Sequence, residues 1–210
     1  MGGPTQNLFR VDTMAFGSSV KLARNPYATA VLKPSRHAGL VEKLSLFAAD
    51  AGIRPEHVWT SMHETEITRA EIDYFLAFRR NPTNGIYGLV LVGEDPQRDI
   101  LESMSLMAGC LTRNFIRVRV MVLIELMDHL EEHGYPEHTC LLVPDFHLSI
   151  GDPSEIPKDW VSRLTGLLLH RSAHGLQTVL HVSSMDELKL AYGGLLTRHL
   201  MTHFQFIDVG

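Results

Sequence analysis

The chain is poor in cysteine. Its 210 residues hold only Cys110 and Cys140, too few for a disulfide framework. Both read as small buried apolar side chains in a reducing compartment. Long apolar runs are missing too: Tyr87 to Val92 is broken by Gly88 and falls far short of the ~20 residues a bilayer span requires. The opening MGGPTQNLFRVD has no basic segment followed by an apolar one, so no secretory signal is expected. A cytoplasmic protein without a membrane partner is the expectation. Nor is positive charge in excess. Nineteen Lys and Arg face 24 Asp and Glu, a formal charge of −5, which argues against autonomous nucleic-acid binding. No internal repeat is found. The 45% hydrophobic and 20% charged content is that of an ordinary globular protein with a sizeable core.

What is present is divided by charge. Residues 1–40 carry Arg10, Lys21, Arg24, Lys33 and Arg36 against Asp12 alone, +4, whereas residues 81–210 hold 9 basic and 16 acidic side chains, −7. Residues 1–34 read as a basic arm with glycines and prolines and no packed core of its own. Such an arm contacts a partner or a phosphate backbone; a frayed terminus is the plainer alternative. Residues 35–83 read as a helical segment. Ser35 is an N-cap for a helix in which Leu40, Val41, Leu44, Leu46 and Phe47 recur as far as Gly52. The Gly52-Ile53-Arg54-Pro55 stretch is a turn. Thr68 caps a helix from Arg69 to Arg80 with Ile72, Phe75 and Leu76 on one face, stopped by Asn81-Pro82-Thr83-Asn84-Gly85.

From residue 84 onward, strand and helix patterns alternate. Strands are expected at 86–92, 115–122, 139–143, 177–182 and 204–209. Helices are expected at 100–109, 123–133, 159–174, 185–192 and 195–203. This order predicts an α/β fold: a three-layer α/β/α domain over 84–210 with a parallel five-stranded sheet.

In such sheets ligands bind at the carboxyl ends of strands, and the first strand leads into GLVLVGEDPQRDILESM. A phosphate-binding loop there reads G-x-x-x-x-G-K-[ST]. Gly93 supplies the first glycine, but Arg98, Asp99 and Ile100 stand where the second glycine, the lysine and the Mg²⁺-binding hydroxyl belong. Glu94, Asp95 and Asp99 put carboxylates around the point a triphosphate would occupy. At ~4 Å a like-charge contact costs several kcal/mol at an effective dielectric of about 20. Pro96 has no N–H to donate. The third strand runs CLLVPDF. Asp145 sits where a Walker B aspartate would hold Mg²⁺, and Phe146 replaces the glutamate that would polarise water.

The order of these elements resembles the AAA+ P-loop ATPases, in the branch of the DnaC/DnaI helicase loaders and the IstB transposition helpers. Gly52-Ile53-Arg54-Pro55 is similar to the loader linker, and YGLVLVGEDPQRDILESMSLMAGCLTRNFIRVRVMVLIELMDHL resembles the Walker A strand, helix and second strand. Leu180-His181-Val182-Ser183-Ser184 resembles the sensor-1 strand, with Ser184 replacing an asparagine. Gly193-Gly194-Leu195-Leu196-Thr197-Arg198 resembles the stretch bearing the arginine finger, which falls on Arg198. The likeness covers roughly residues 40–210; a lid domain is absent or minimal.

The resemblance implies ATP and Mg²⁺ binding, ring-helicase loading and single-strand binding. The lost lysine, hydroxyl, glutamate and asparagine imply instead a catalytically inactive relative, not an enzyme, without a cofactor. It would act by binding a protein, a replicative helicase or loader-like ATPase or a second copy of itself, in replication or mobile-element biology. Arg198 acts in trans on a neighbour or is a surface or packing arginine. Two alternatives stay open: an active ATPase using Arg98 in an unorthodox loop, and a DNA-binding adaptor using the basic arm.

Other chemistry lacks an anchor. Three histidine pairs lie four apart, His129/His133, His170/His174 and His199/His203, but without a standard zinc pattern or H-E-x-x-H. They read as surface histidines near helix ends, and no metal is expected. There is no G-x-S-x-G elbow. The Met104 to Met127 stretch reads as core.

Overall fold

Strand alternation sets the layers of the computed structural model, which describes residues 25–146 and 156–210. In β1 (Gly88–Val92), Leu89 and Leu91 face one side of the sheet, Val90 and Val92 the other. In β3 (Cys140–Val143), Cys140 and Leu142 join the first side, Leu141 and Val143 the second. This period of two lets one apolar run serve two cores. With β2 (Val118–Val120), β4 (Gln177–Val182) and β5 (Phe204–Asp208), the sheet is parallel throughout, in the order β2-β3-β4-β1-β5. The three-layer α/β/α arrangement is as expected.

One face is covered by α5 (Ile100–Arg113) through Met104, Met107, Ala108 and Leu111, with α4 (Arg69–Leu76) beside it through Ile72 and Phe75. The other face packs against α6 (Leu123–Glu132), α7 (Lys158–Ala173) and α8 (Met185–His203). Gly193 interrupts α8 with a φ of 76°, so its two halves follow the two helices the sequence predicts. None of the described helices is long and apolar enough to cross a membrane.

The N-terminal helices depart from expectation. Lys33, not Ser35, is the N-cap of α1 (Pro34–Glu42); Pro34 takes the first helical position, where its missing N–H costs nothing. The helix breaks at Lys43 and resumes as α2 (Leu44–Ala51). The break changes the buried face, so Leu46 and Phe47 are exposed while Leu40, Leu44 and Ala48 are buried. The predicted turn at Gly52 to Pro55 leads into a short α3 (Pro55–Trp59) that the sequence reading does not include. The described end of the basic arm packs: Leu32 is buried with Leu40, Leu44 and Val58.

Two further boundaries shift for local reasons. The α5 helix runs past Gly109 because that glycine lies under α3. A β-carbon there would come within 2.1 Å of the His57 carbonyl oxygen, so the residue permits close helix packing and does not terminate the helix. Phe115 adopts a left-handed φ of 58°, which delays β2 to Val118. The α4 helix ends at Leu76, four residues earlier than predicted. Leu76 itself is 69% exposed and does not join the core.

Buried polar groups hold the amino ends of the strands. The Tyr74 hydroxyl donates to Gln177 Oε1 (2.8 Å), and Gln177 Nε2 donates to the Phe78 carbonyl (2.8 Å). This ties the C-terminal end of α4 to β4. The fully buried Arg171 donates to the carbonyls of Pro136, His138 and Gln177 and to the Thr178 hydroxyl. With oxygens satisfying its donors and no carboxylate bound, burial pushes its pKa down to about 10.

Candidate functional site: the loop after the first strand

The carboxyl ends of β1, β3 and β4 bring together Gly93, Asp145 and the segment from His181 to Ser184. The loop from Gly93 to Asp99 connects β1 to α5, as the phosphate-loop reading requires. Gly93 has a φ of 115°, and a β-carbon there would meet Gly210 at 2.7 Å; only glycine fits.

Internal acceptors occupy much of the loop's donor capacity. The Gly93 amide donates to the Val182 carbonyl (3.0 Å), the Gln97 amide to Asp95 Oδ1 (2.9 Å) and the Arg98 amide to the Asp95 carbonyl (3.0 Å). At the start of α5, Asp99 is the N-cap and its carboxylate accepts from the Glu102 amide (2.9 Å). A helix N-terminus is a ready anion site, and here the chain's own carboxylate takes that place. Ile100, at the hydroxyl position, packs against the core.

Arg98 does not face the loop's opening. Its side chain is 3% exposed, and Nη2 and Nη1 pair with Glu71 Oε1 and Oε2 at 2.5 and 3.1 Å. Nε donates to Ser103 Oγ (3.1 Å). Glu71, fully buried, also accepts the Thr68 amide (2.7 Å) while its own amide donates to Thr68 Oγ1 (3.4 Å), a capping box that starts α4. The guanidinium that sequence reasoning left free for an anion is therefore engaged with a carboxylate from the helical segment.

On β3 and β4 the pattern continues. Asp145 is exposed and holds a left-handed φ of 53°. Phe146 is fully buried and stacks on Tyr192, whose hydroxyl donates to the Phe146 carbonyl (2.6 Å). Ser184 is the N-cap of α8 and accepts the Glu187 amide (3.1 Å). His181, which sequence reasoning passed over, bridges the strands. Its Nε2 donates to the Gly93 carbonyl (2.9 Å), and its buried Nδ1, without a hydrogen-bond partner, lies 3.5 Å from Asp145 Oδ1. The only signal in the sequence was a single imidazole inside an apolar strand.

The remaining candidates lie elsewhere. Arg198 is exposed on α8 and forms no ion pair among the described residues. Arg36 rests 5.4 Å from the Phe115 ring centroid, and Lys33 caps α1. Arg10, Lys21 and Arg24 lie outside the described residues. The histidine pairs do meet on their helix faces, with centroids 4.1–5.0 Å apart. Among the described residues, no three His, Cys, Asp or Glu side chains are grouped to hold a metal. Cys140 is fully buried, and burial pushes its thiol up to about 12, which suits core and not reactivity.

No family model and no curated protein matches the chain. Solved structures do share its fold. A DNA replication initiation factor superimposes over 74% of this chain and 50% of its own, with a TM-score of 0.51 at 10% identity. The replication initiator DnaA, solved with AMPPCP and single-stranded DNA, superimposes over 75% and 51%, with a TM-score of 0.50 at 12% identity. The DnaC helicase loader gives a TM-score of 0.45 at 17% identity, over 68% of this chain and 89% of its own, too loose to add to the comparison. What is shared is the three-layer α/β/α fold, and the chain spans about half the length of these two initiator structures.

Two outcomes follow from this geometry. Arg98→Met leaves Glu71 buried without its counter-charge and is expected to cost about 3–5 kcal/mol in urea denaturation. Arg98→Met with Glu71→Leu should recover most of that loss, since an apolar pair of similar volume needs no partner. The second outcome concerns acid. Burial, more than any neighbouring charge, holds His129, His138 and His199 below their usual 6.5. The unfolded chain then takes up protons before the folded one, so stability should fall as pH drops below about 6.5. Thermal melts between neutral and mildly acidic pH would detect this.

Proposed function

We propose that this is a AAA+-like protein of DNA replication that does not hydrolyse nucleotide and works through protein contacts. Its partner on this reading is a replicative helicase or a loader-type ATPase. The observation that carries it is the Gly93–Asp99 loop. Asp99 caps the helix that would receive phosphate, Arg98 is turned into a buried pair with Glu71, and Asp95 takes up two of the loop's amides. A phosphate loop works by aiming free N–H groups and a lysine at anionic oxygens. Here the Gly93, Gln97 and Arg98 amides are satisfied internally, and the Asp99 carboxylate stands where the lysine belongs.

The same geometry weighs against an ATPase that relies on Arg98, because freeing Arg98 strands Glu71 in the core. It also weighs against water activation at Phe146, which is enclosed by Tyr192. Contact with a partner is supported by the second half of α8, where Leu195 and Met201 are 67% and 69% exposed on either side of Arg198. The replication setting rests on the shared fold.

Isothermal titration of the chain with ATP and Mg²⁺ tests the reading. No saturable heat is expected at micromolar to submillimolar nucleotide. A micromolar dissociation constant would return the chain to the working ATPases.

A further inference from the structure

The structure points to a second feature, at the far end of α5 from the loop, about 20 Å away by helix rise. We propose that the groove between α4 and the C-terminal turn of α5 binds an acidic, apolar segment of a partner protein. This rests on the protein-contact reading above and names the surface and the chemistry of the contact.

The groove has a volume of about 410 Å³. Its floor is apolar, formed by Met62, Ile72, Phe75 and Leu111, and Leu76 stands exposed at its edge. Three arginines, Arg79, Arg80 and Arg113, line the same groove. In a chain with more carboxylates than cations, none of the three pairs with a carboxylate among the described residues. Among the described residues Arg113, which is buried, donates to the carbonyls of Val58 and Thr60, and the exposed Arg79 to that of Asn114. The groove thus offers apolar surface and uncompensated positive charge side by side, and carboxylates set among apolar side chains complement both.

The occupant follows from the same chemistry. Residues 1–24 of this chain carry Arg10, Lys21 and Arg24 against Asp12, so their like charge excludes them. A phosphate backbone has nothing to set against the apolar floor, and single-strand binding adds exposed aromatic faces on which bases stack. Phe75 and Phe78 are buried and stacked on each other, with ring centroids 6.4 Å apart, so no such face is offered. A protein segment remains.

The wall of this groove is the helix that Arg98 fixes. Glu71 opens α4 at the loop, and Leu76 closes it at the groove. The arginine withdrawn from the loop therefore positions the binding surface.

The test is selection of short displayed peptides on the full chain. Arg79→Glu/Arg80→Glu, exposed positions whose change should leave the fold intact by circular dichroism, serves as the counter-target. Enriched peptides should combine Asp or Glu with apolar residues, and their affinity should fall about tenfold or more on the double variant. Peptides that are basic, that bind both proteins equally, or that fail to enrich would overturn the proposal. So would oligo-dT binding abolished by the same variant, which places nucleic acid in the groove. A dimer seen by sedimentation and lost in the variant would assign it to a second copy and overturn it likewise. Any of these results leaves the nucleotide titration unaffected, so the two readings fail separately.

Discussion

The buried pair between Arg98 and Glu71 organises this structure. Removing two charges from water is expensive, and the pair persists only because each group is fully partnered. Glu71 accepts from both guanidinium nitrogens and from the Thr68 amide, and Arg98 adds a bond to Ser103. One residue lies in the loop after β1 and the other in the helix preceding the sheet, 27 positions earlier. Their union fixes the conformation of the loop and the angle of α4 together, so neither can relax without exposing a bare charge.

From that constraint the proposed function follows in physical steps. Pulling Arg98 inward removes the loop's one cation from the mouth of the sheet. Asp95 and Asp99 then satisfy amides that a phosphate would otherwise reach, and His181 secures the Gly93 carbonyl from β4. The mouth left behind is acidic, with Asp145 and Asp208 exposed beside Glu94. At its other end α4 is tied to β4 through Tyr74 and Gln177, which sets Leu76, Arg79 and Arg80 on the surface. A scaffold of this shape can hold a protein-binding face rigidly without binding nucleotide.

Much of this was legible in the sequence. The apolar runs at 86–92, 139–143 and 177–182 could serve only a sheet covered on both faces. The G-x-x-x-x-R-D-I spelling located the loop, and Thr68 marked the start of α4. What escaped was side-chain pairing at a distance. No local pattern tells that Glu71, an ordinary capping-box residue, would lie fully buried against Arg98. For the same reason Arg98 read as a free cation. Leu46, Phe47 and Leu76 fit a helical period and still point to solvent, because a break at Lys43 and an early end to α4 change which face is covered. His181 looked like one polar residue in a core strand; its role appears only when β1 and β3 end beside it.

Crystals grown with AMPPCP and Mg²⁺ address the central claim most directly. Arg98 should remain on Glu71, Asp99 should still cap α5, and no ordered triphosphate should appear between Gly93 and Ile100. An ordered γ-phosphate held by the loop amides, with Arg98 swung away from Glu71 to meet it, would contradict the account.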